Sequence, residues 1–158
     1  MEEIILRKAT RKDCHDLWAW RNHPEVRKWH FNSEKIEYKI HIKWFEGKIG
    51  SDNTRIYIAE NQKKEKLGQV RMDVDKNKST YVSIDLNPKF FGRKLGRRII
   101  RMGTDVFMGE NPHFRGMVAE IDSENIASRK AFEKAGYAFS HCALKKGRRI
   151  VVYELGKS

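Results

Sequence analysis

The chain has 158 residues, with 33 Lys or Arg against 21 Asp or Glu and a formal net charge of +12. That length fits one domain over residues 1–158, and 37 Leu, Ile, Val and Phe residues suffice for one core. No apolar run reaches the roughly 18 residues that cross a bilayer, and the start Met1-Glu2-Glu3 is unlike a secretory signal, while the charge points to a polyanionic partner: a nucleic acid, an anionic membrane or a phosphate-bearing small molecule.

Residues 4–9 open as a strand. Thr10 is positioned to cap a helix, with Asp13 where a capping box puts Glu or Gln. That helix carries Leu17, Trp18 and Arg21 and ends near Pro24, because the residue before a proline avoids the helical region. Ser33 is positioned to cap a second helix reaching about Ile49, with Ile36, Ile40, Trp44 and Phe45 at helical spacing and Gly50 as its stop. Residues 55–60, 67–74 and 81–86 read as strands, the last alternating Val82, Ile84 and Leu86 on one face. Polar segments 61–66 and 75–80 join them, the second read as a mobile linker. Leu95, Ile99, Met102 and Val106 trace one face of a helix. A strand over 117–121 and a helix over 125–135 follow. Ser128, Ala131, Phe132 and Ala135 share one side of that helix, and Gly136 stops it. Residues 137–144 and 149–155 form a hairpin, whose basic turn reads as charged surface. The order βααβββαβαββ predicts an α/β fold with a mixed sheet and helices on both faces. Cys14 and Cys142 make neither a metal spacing nor a disulfide framework and read as reduced thiols of a cytoplasmic protein. The six His show no zinc pattern, so no metal is expected.

Residues 86–98 carry the first chemical signal: a strand end, a basic loop with glycine, and a helix start. N–H groups at a helix start lack internal partners, and with the helix dipole they form an anion site suited to phosphate or pyrophosphate. Gly92 and Gly96 permit close backbone approach, and Arg93, Lys94 and Arg97 add charge. An ordinary turn with a solvated basic face accounts for this segment equally well. Residues 120–137 carry the second signal: Asn125, Ser128 and Phe132, then Glu133-Lys134-Ala135-Gly136-Tyr137.

Together the two segments, at their separation and in this order of elements, resemble the GNAT (Gcn5-related) N-acetyltransferases. The resemblance implies one GNAT domain with a mostly antiparallel sheet, and acetyl-CoA as co-substrate. It implies cofactor contacts at Leu86, Asn87, Phe91, Gly92, Arg93, Lys94, Leu95, Gly96 and Arg97, and at Asn125, Ser128 and Phe132. It also implies direct acetyl transfer to a primary amine. Phe91 and Lys94 stand where the family commonly has Arg or Gln and Gly. Phe132 stands where many members have a Tyr that protonates the CoA thiolate, which leaves Tyr137, a water or no acid at all. Residues 20–29, 31–36, 41–45 and 68–73 further resemble the N-acetyltransferases of nonulosonic (pseudaminic) acid biosynthesis, which act on the 4-amine of a UDP-linked amino-dideoxyhexose. On that resemblance Arg21, Asn22, His23, Trp29 and Arg71 are the acceptor-side candidates: the two Arg to pair a diphosphate and Trp29 to stack on a ring. The amine must be neutral to attack, so a base is needed; Glu120 is the first candidate and Asp73 the second. Backbone N–H near Leu86–Asn87 is expected to polarise the acetyl carbonyl. The partner expected is a small-molecule amine, with no membrane and no specific nucleic acid, and a homodimer is left open. The rival readings are a protein N-terminal (ribosomal-protein-type) acetyltransferase, a polyamine acetyltransferase, disfavoured because a chain of charge +12 repels a polycation, and a catalytically silent GNAT fold that binds nucleic acid.

Overall fold

Strand β2 (Thr54–Glu60) shows how the layers are built. It is apolar on both faces, as a strand covered on both sides must be. Ile56 and Ile58 pack with Leu17, Trp20 and Phe45, whereas Tyr57 and Ala59 join a larger core with Val70, Met72, Ile99, Ile100 and Phe107. The first group lies under α1 (Cys14–Asn22) and α3 (Tyr38–Ile49), the second under α4 (Leu95–Glu110). Helices therefore cover both faces, as expected. The computed structural model describes residues 2–156; Met1, Lys157 and Ser158 of the expected 1–158 domain lie outside the described residues.

The remaining strands are β1 (Ile5–Lys8), β3 (Lys66–Val74), β4 (Thr80–Leu86), β5 (Gly116–Asp122), β6 (Ala138–Lys145) and β7 (Arg148–Gly156), in the order β1-β2-β3-β4-β5-β7-β6. Among the described residues, only the β4–β5 pairing is parallel. Short α2 (Pro24–Arg27) follows α1, and α5 (Ile126–Lys134) packs beside α4. Helix α4 crosses β3 so closely at Gly103 that a Cβ there would lie 2.6 Å from Val70 Cγ1.

Several local expectations hold and several shift. Gly136 has φ +102°, and the bonds Tyr137 N to Phe132 O and Gly136 N to Glu133 O close α5 with a Schellman motif. Asp13 accepts the Thr10 backbone N–H at 2.7 Å, but it also receives Arg7 and Lys66 at 2.8 Å while 1% exposed. It is thus a buried ionic clamp between β1, α1 and β3, and Lys66 is not a solvated turn residue. The second helix begins at Tyr38 and is not capped by Ser33. The backbone of Ile36 is taken by the Asn22 amide in both directions, at 2.8 Å each, which holds residues 32–37 outside the helix. The buried face of α4 runs through Leu95, Ile99, Ile100, Gly103 and Phe107, and Val106 is exposed, because the stripe is centred near Gly103 and Val106 falls about 60° to one side of that centre, at its margin. Segment 75–80 is a tight turn in which Asp75 Oδ1 accepts the N–H groups of Asn77 and Ser79.

Candidate active site

Parallel strands β4 and β5 pair only at Thr80–Met117 and Tyr81–Val118, although both run several residues further. Beyond that point they diverge and the sheet is split. A cavity of about 1200 Å³ occupies the split and opens to both faces of the sheet. The Asn87 N–H bonds Leu67 O at 2.9 Å, which sets the phase of β4. In an antiparallel ladder alternate residues point their N–H to opposite sides, so the N–H groups of Ile84 and Leu86 face the gap. Of the expected Leu86–Asn87 pair, only Leu86 offers a donor. Asn87 is spent on structure: its side chain donates to Lys66 O and accepts from Lys89 N.

On the α4 side the wall consists of Leu86, Phe91, Gly92, Lys94, Leu95, Gly96, Arg97, Asn125, Ser128 and Phe132. The N-terminus of α4 has no side-chain cap and no acidic residue in its first turn, so its free N–H groups and two basic side chains meet the cavity. Lys94 has φ +58°, a left-handed conformation that explains why a glycine is the ordinary choice at this position. These features fit a pyrophosphate. Arg93 is not in the wall; its guanidinium lies over the Phe90 ring at 5.0 Å. Arg98 and Arg101 donate to Glu2 O and Ala135 O, so the basic run is only partly turned toward the cavity. Asn125 Oδ1 caps α5 by accepting Ser128 N–H at 3.2 Å. Phe132 is 2% exposed and borders the cavity, while Tyr137 lies behind it, edge-on at 5.1 Å. The Tyr137 hydroxyl is paired with Thr104 Oγ1 at 2.8 Å, and burial pushes its phenol up to about 12. Tyr137 is therefore a core residue out of reach of the gap, and it does not supply the missing acid.

On the opposite face, alternation turns Ser83 and Asp85 of β4 and Glu120 and Asp122 of β5 toward the cavity. Segment 28–31 lies across them. His30 Nε2 is 2.9 Å from Asp85 Oδ1, and Lys145 bonds Glu120 while lying 4.9 Å over the Phe31 ring. Arg148 reaches both Asp122 and Lys28 O. The basic hairpin is thus part of this wall and is more than charged surface. Trp29 and Arg71 also line it. Arg71 stacks on Trp44 at 5.0 Å and holds Asp73 through Nε at 2.7 Å. Burial raises the Asp73 carboxyl, but Arg71 and Lys48 outweigh it and leave the group below the usual carboxylate range. An anion so paired is a poor proton acceptor, which removes Asp73 as a base.

Three acceptor-side candidates hold the segment in place and do not line the cavity. Asn22 spends both ends of its amide on Ile36, Arg21 donates to Asn32 O, and His23 Nδ1 caps α2 by accepting Glu25 N–H at 3.1 Å. His30, Phe31, Asp85, Asp122, Lys145 and Arg148 were not singled out from the sequence. One signal existed: the alternation that puts Val82, Ile84 and Leu86 on one face of β4 puts Asp85 on the other.

The model of the acetyltransferase (GNAT) domain family matches residues 3–138. Among curated proteins, the chain is 26% identical over 148 residues to the uncharacterized protein MJ1062 of Methanocaldococcus jannaschii. That match covers 92% of this chain but spans only 29% of the relative's length. Among solved structures, the aminoglycoside acetyltransferase AAC(6')-Ib in complex with coenzyme A superposes with a TM-score of 0.84 at 15% identity, over 98% of this chain and 95% of that one. The spermidine N-acetyltransferase from Vibrio cholerae in complex with CoA and spermine gives 0.85 at 14% identity, over 97% and 95%. At these identities the two structures speak to the fold.

Proposed function

The chain belongs to the acetyltransferase (GNAT) domain family, and from that premise we propose that it is an acetyl-CoA-dependent N-acetyltransferase acting on the 4-amine of a UDP-linked amino-dideoxy sugar. The observation that carries this reading is the cavity through the split sheet, which has an uncapped basic helix start on one face and carboxylates, aromatic rings and Arg71 on the other. When bound, acetyl-CoA supplies an activated acetyl group and leaves as the thiol. The α4 N-terminus, Lys94 and Arg97 would hold its pyrophosphate. Ser128 and Phe132 would flank the arm that enters the gap, and the Leu86 N–H would meet the carbonyl oxygen as charge develops there.

The acceptor side suits a polar, ring-bearing amine. Trp29 and Phe31 offer ring faces, and the two Nη groups of Arg71 take part in no hydrogen bond among the described residues, which leaves them for a phosphate oxygen. Glu120, paired with Lys145, would attract the acceptor's ammonium group and orient it. The resemblance of residues 20–29, 31–36, 41–45 and 68–73 to sugar-nucleotide acetyltransferases is what supports this class of acceptor. Thiol release from acetyl-CoA, measured with a UDP-4-amino-4,6-dideoxyhexose, kanamycin, spermine and N-terminal peptides, tests the assignment. Turnover is expected with the nucleotide sugar and at least tenfold lower kcat/KM with the others; preference for any other acceptor overturns it.

A further inference from the structure

Of the strand carboxylates Asp73, Asp85, Glu120 and Asp122 on the acceptor side, Asp85 has no ion pair with a Lys or Arg among the described residues. Asp73 is taken by Lys48 and Arg71, Glu120 by Lys145, and Asp122 by Arg148. Asp85 instead faces an imidazole, His30, with Nε2 at 2.9 Å from Oδ1. With the Asp85 carboxylate as acceptor, Nε2 is the donor nitrogen, and in the neutral form of such a ring Nδ1 is the lone-pair nitrogen. That nitrogen takes part in no hydrogen bond among the described residues, and the side chain borders the cavity. The ring is fixed from its backbone as well, since His30 N bonds Arg27 O at 3.1 Å. Asp85 is next to Leu86, whose N–H faces the gap, so the imidazole and the carbonyl-binding donor converge on one end of β4.

We infer that His30 accepts the proton of the incoming ammonium through Nδ1 and that Asp85 positions it. The inference rests on the acetyltransferase reading above. The acceptor ammonium gives one proton to Nδ1, and the free amine nitrogen attacks the thioester carbon. The N–C bond forms and the C–S bond breaks, with its electron pair going to sulfur. The second amine proton passes to the thiolate, and the imidazolium returns its proton to solvent. Imidazole suits this task because it changes charge between pH 5 and 8, close to working pH. The charged group that His30 touches is Asp85 on β4, on which Arg21 of α1 acts; Glu25 on α2, Arg71 on β3, Glu120 and Asp122 on β5 and Lys145 on β6 line the same cavity.

The test is the pH dependence of kcat/KM for thiol release with the UDP-4-amino sugar. His30→Gln is expected to lower it about 100-fold at pH 7, with recovery toward wild type once the amine deprotonates by itself. Asp85→Asn keeps the ring and is expected to fall between the two, with the same alkaline recovery. Acetyl-CoA affinity by calorimetry is expected to be unchanged in both variants. A loss that is uniform across pH, or no loss, overturns the assignment. Absence of turnover in the wild type would sink the acceptor reading, and His30 is then judged by nitrogen NMR of the imidazoles. A ring protonated at Nε2 in the wild type, and no longer fixed so in Asp85→Asn, supports the inference; protonation at Nδ1 overturns it.

Discussion

The two ends of the cavity are made in different ways. The α4 end is a stretch of continuous backbone: Leu86, a loop with Gly92 at φ +81° and Lys94 at φ +58°, and the first turn of an uncapped helix. The opposite end is assembled from side chains of β3 to β7 and of segment 28–31, joined by contacts such as the His30–Asp85 hydrogen bond and the Lys145–Glu120 ion pair, which link residues 55 and 25 positions apart. A backbone site tolerates unusual side chains, because N–H groups do its binding. A side-chain site depends on each partner and on the elements that carry it.

That contrast ranks the expected effects of substitution. The largest belongs to Asp13, which ties α1, and with it the acceptor-side helices, to β1 and β3. Asp13→Asn is expected to cost about 3 kcal/mol by chemical denaturation, since it strips a buried anion from two cations. Burial raises the Asp13 carboxyl, but the hydrogen bonds of Arg7 and Lys66 dominate and hold it well below the usual carboxylate range. A depressed carboxyl stabilises above its unfolded value and loses that contribution as pH falls through its folded value. The gap between wild type and variant should therefore be full above about pH 5 and narrow as the medium becomes strongly acidic. A gap that is constant down to acid pH would break the clamp argument.

A smaller effect is expected beneath the α4 end. Tyr137→Phe removes the partner of buried Thr104 and should cost about 1 kcal/mol. Thiol release should stay within about twofold of wild type, because the phenol is in the core. A large loss of turnover with stability intact would return Tyr137 to the chemistry and blur the distinction between the two ends. The smallest effect concerns Lys94. Lys94→Gly relieves a left-handed backbone and is expected to raise stability by about 1 kcal/mol. The loss of one charge should weaken acetyl-CoA binding by less than about tenfold in calorimetry. A larger loss would mean that the side chain, rather than the backbone, holds the pyrophosphate.

The same contrast explains what could be read in advance. Strand and helix identity followed from local period, as in Val82, Ile84 and Leu86 or the Schellman stop at Gly136. The shifts occurred where distant groups captured a local one. Asn22 took the Ile36 backbone and delayed α3, and α1 and β3 drew Asp13 and Lys66 into a buried pair. Asn87 and Arg93, sound candidates by position in the loop, were lost because their groups found partners in Leu67, Lys66 and Phe90.

By itself the sequence determined the order of the main elements, the layers of the sheet, and the start of α4 after its basic loop, because those depend on short-range period and on residues close in the chain. Only the tertiary structure decided where β4 and β5 part and which carboxylates are already paired. It also decided that His30, among six His, stands over Asp85. These outcomes depend on strand register and on segments packed across the sheet, and no local pattern encodes which distant side chain arrives opposite which.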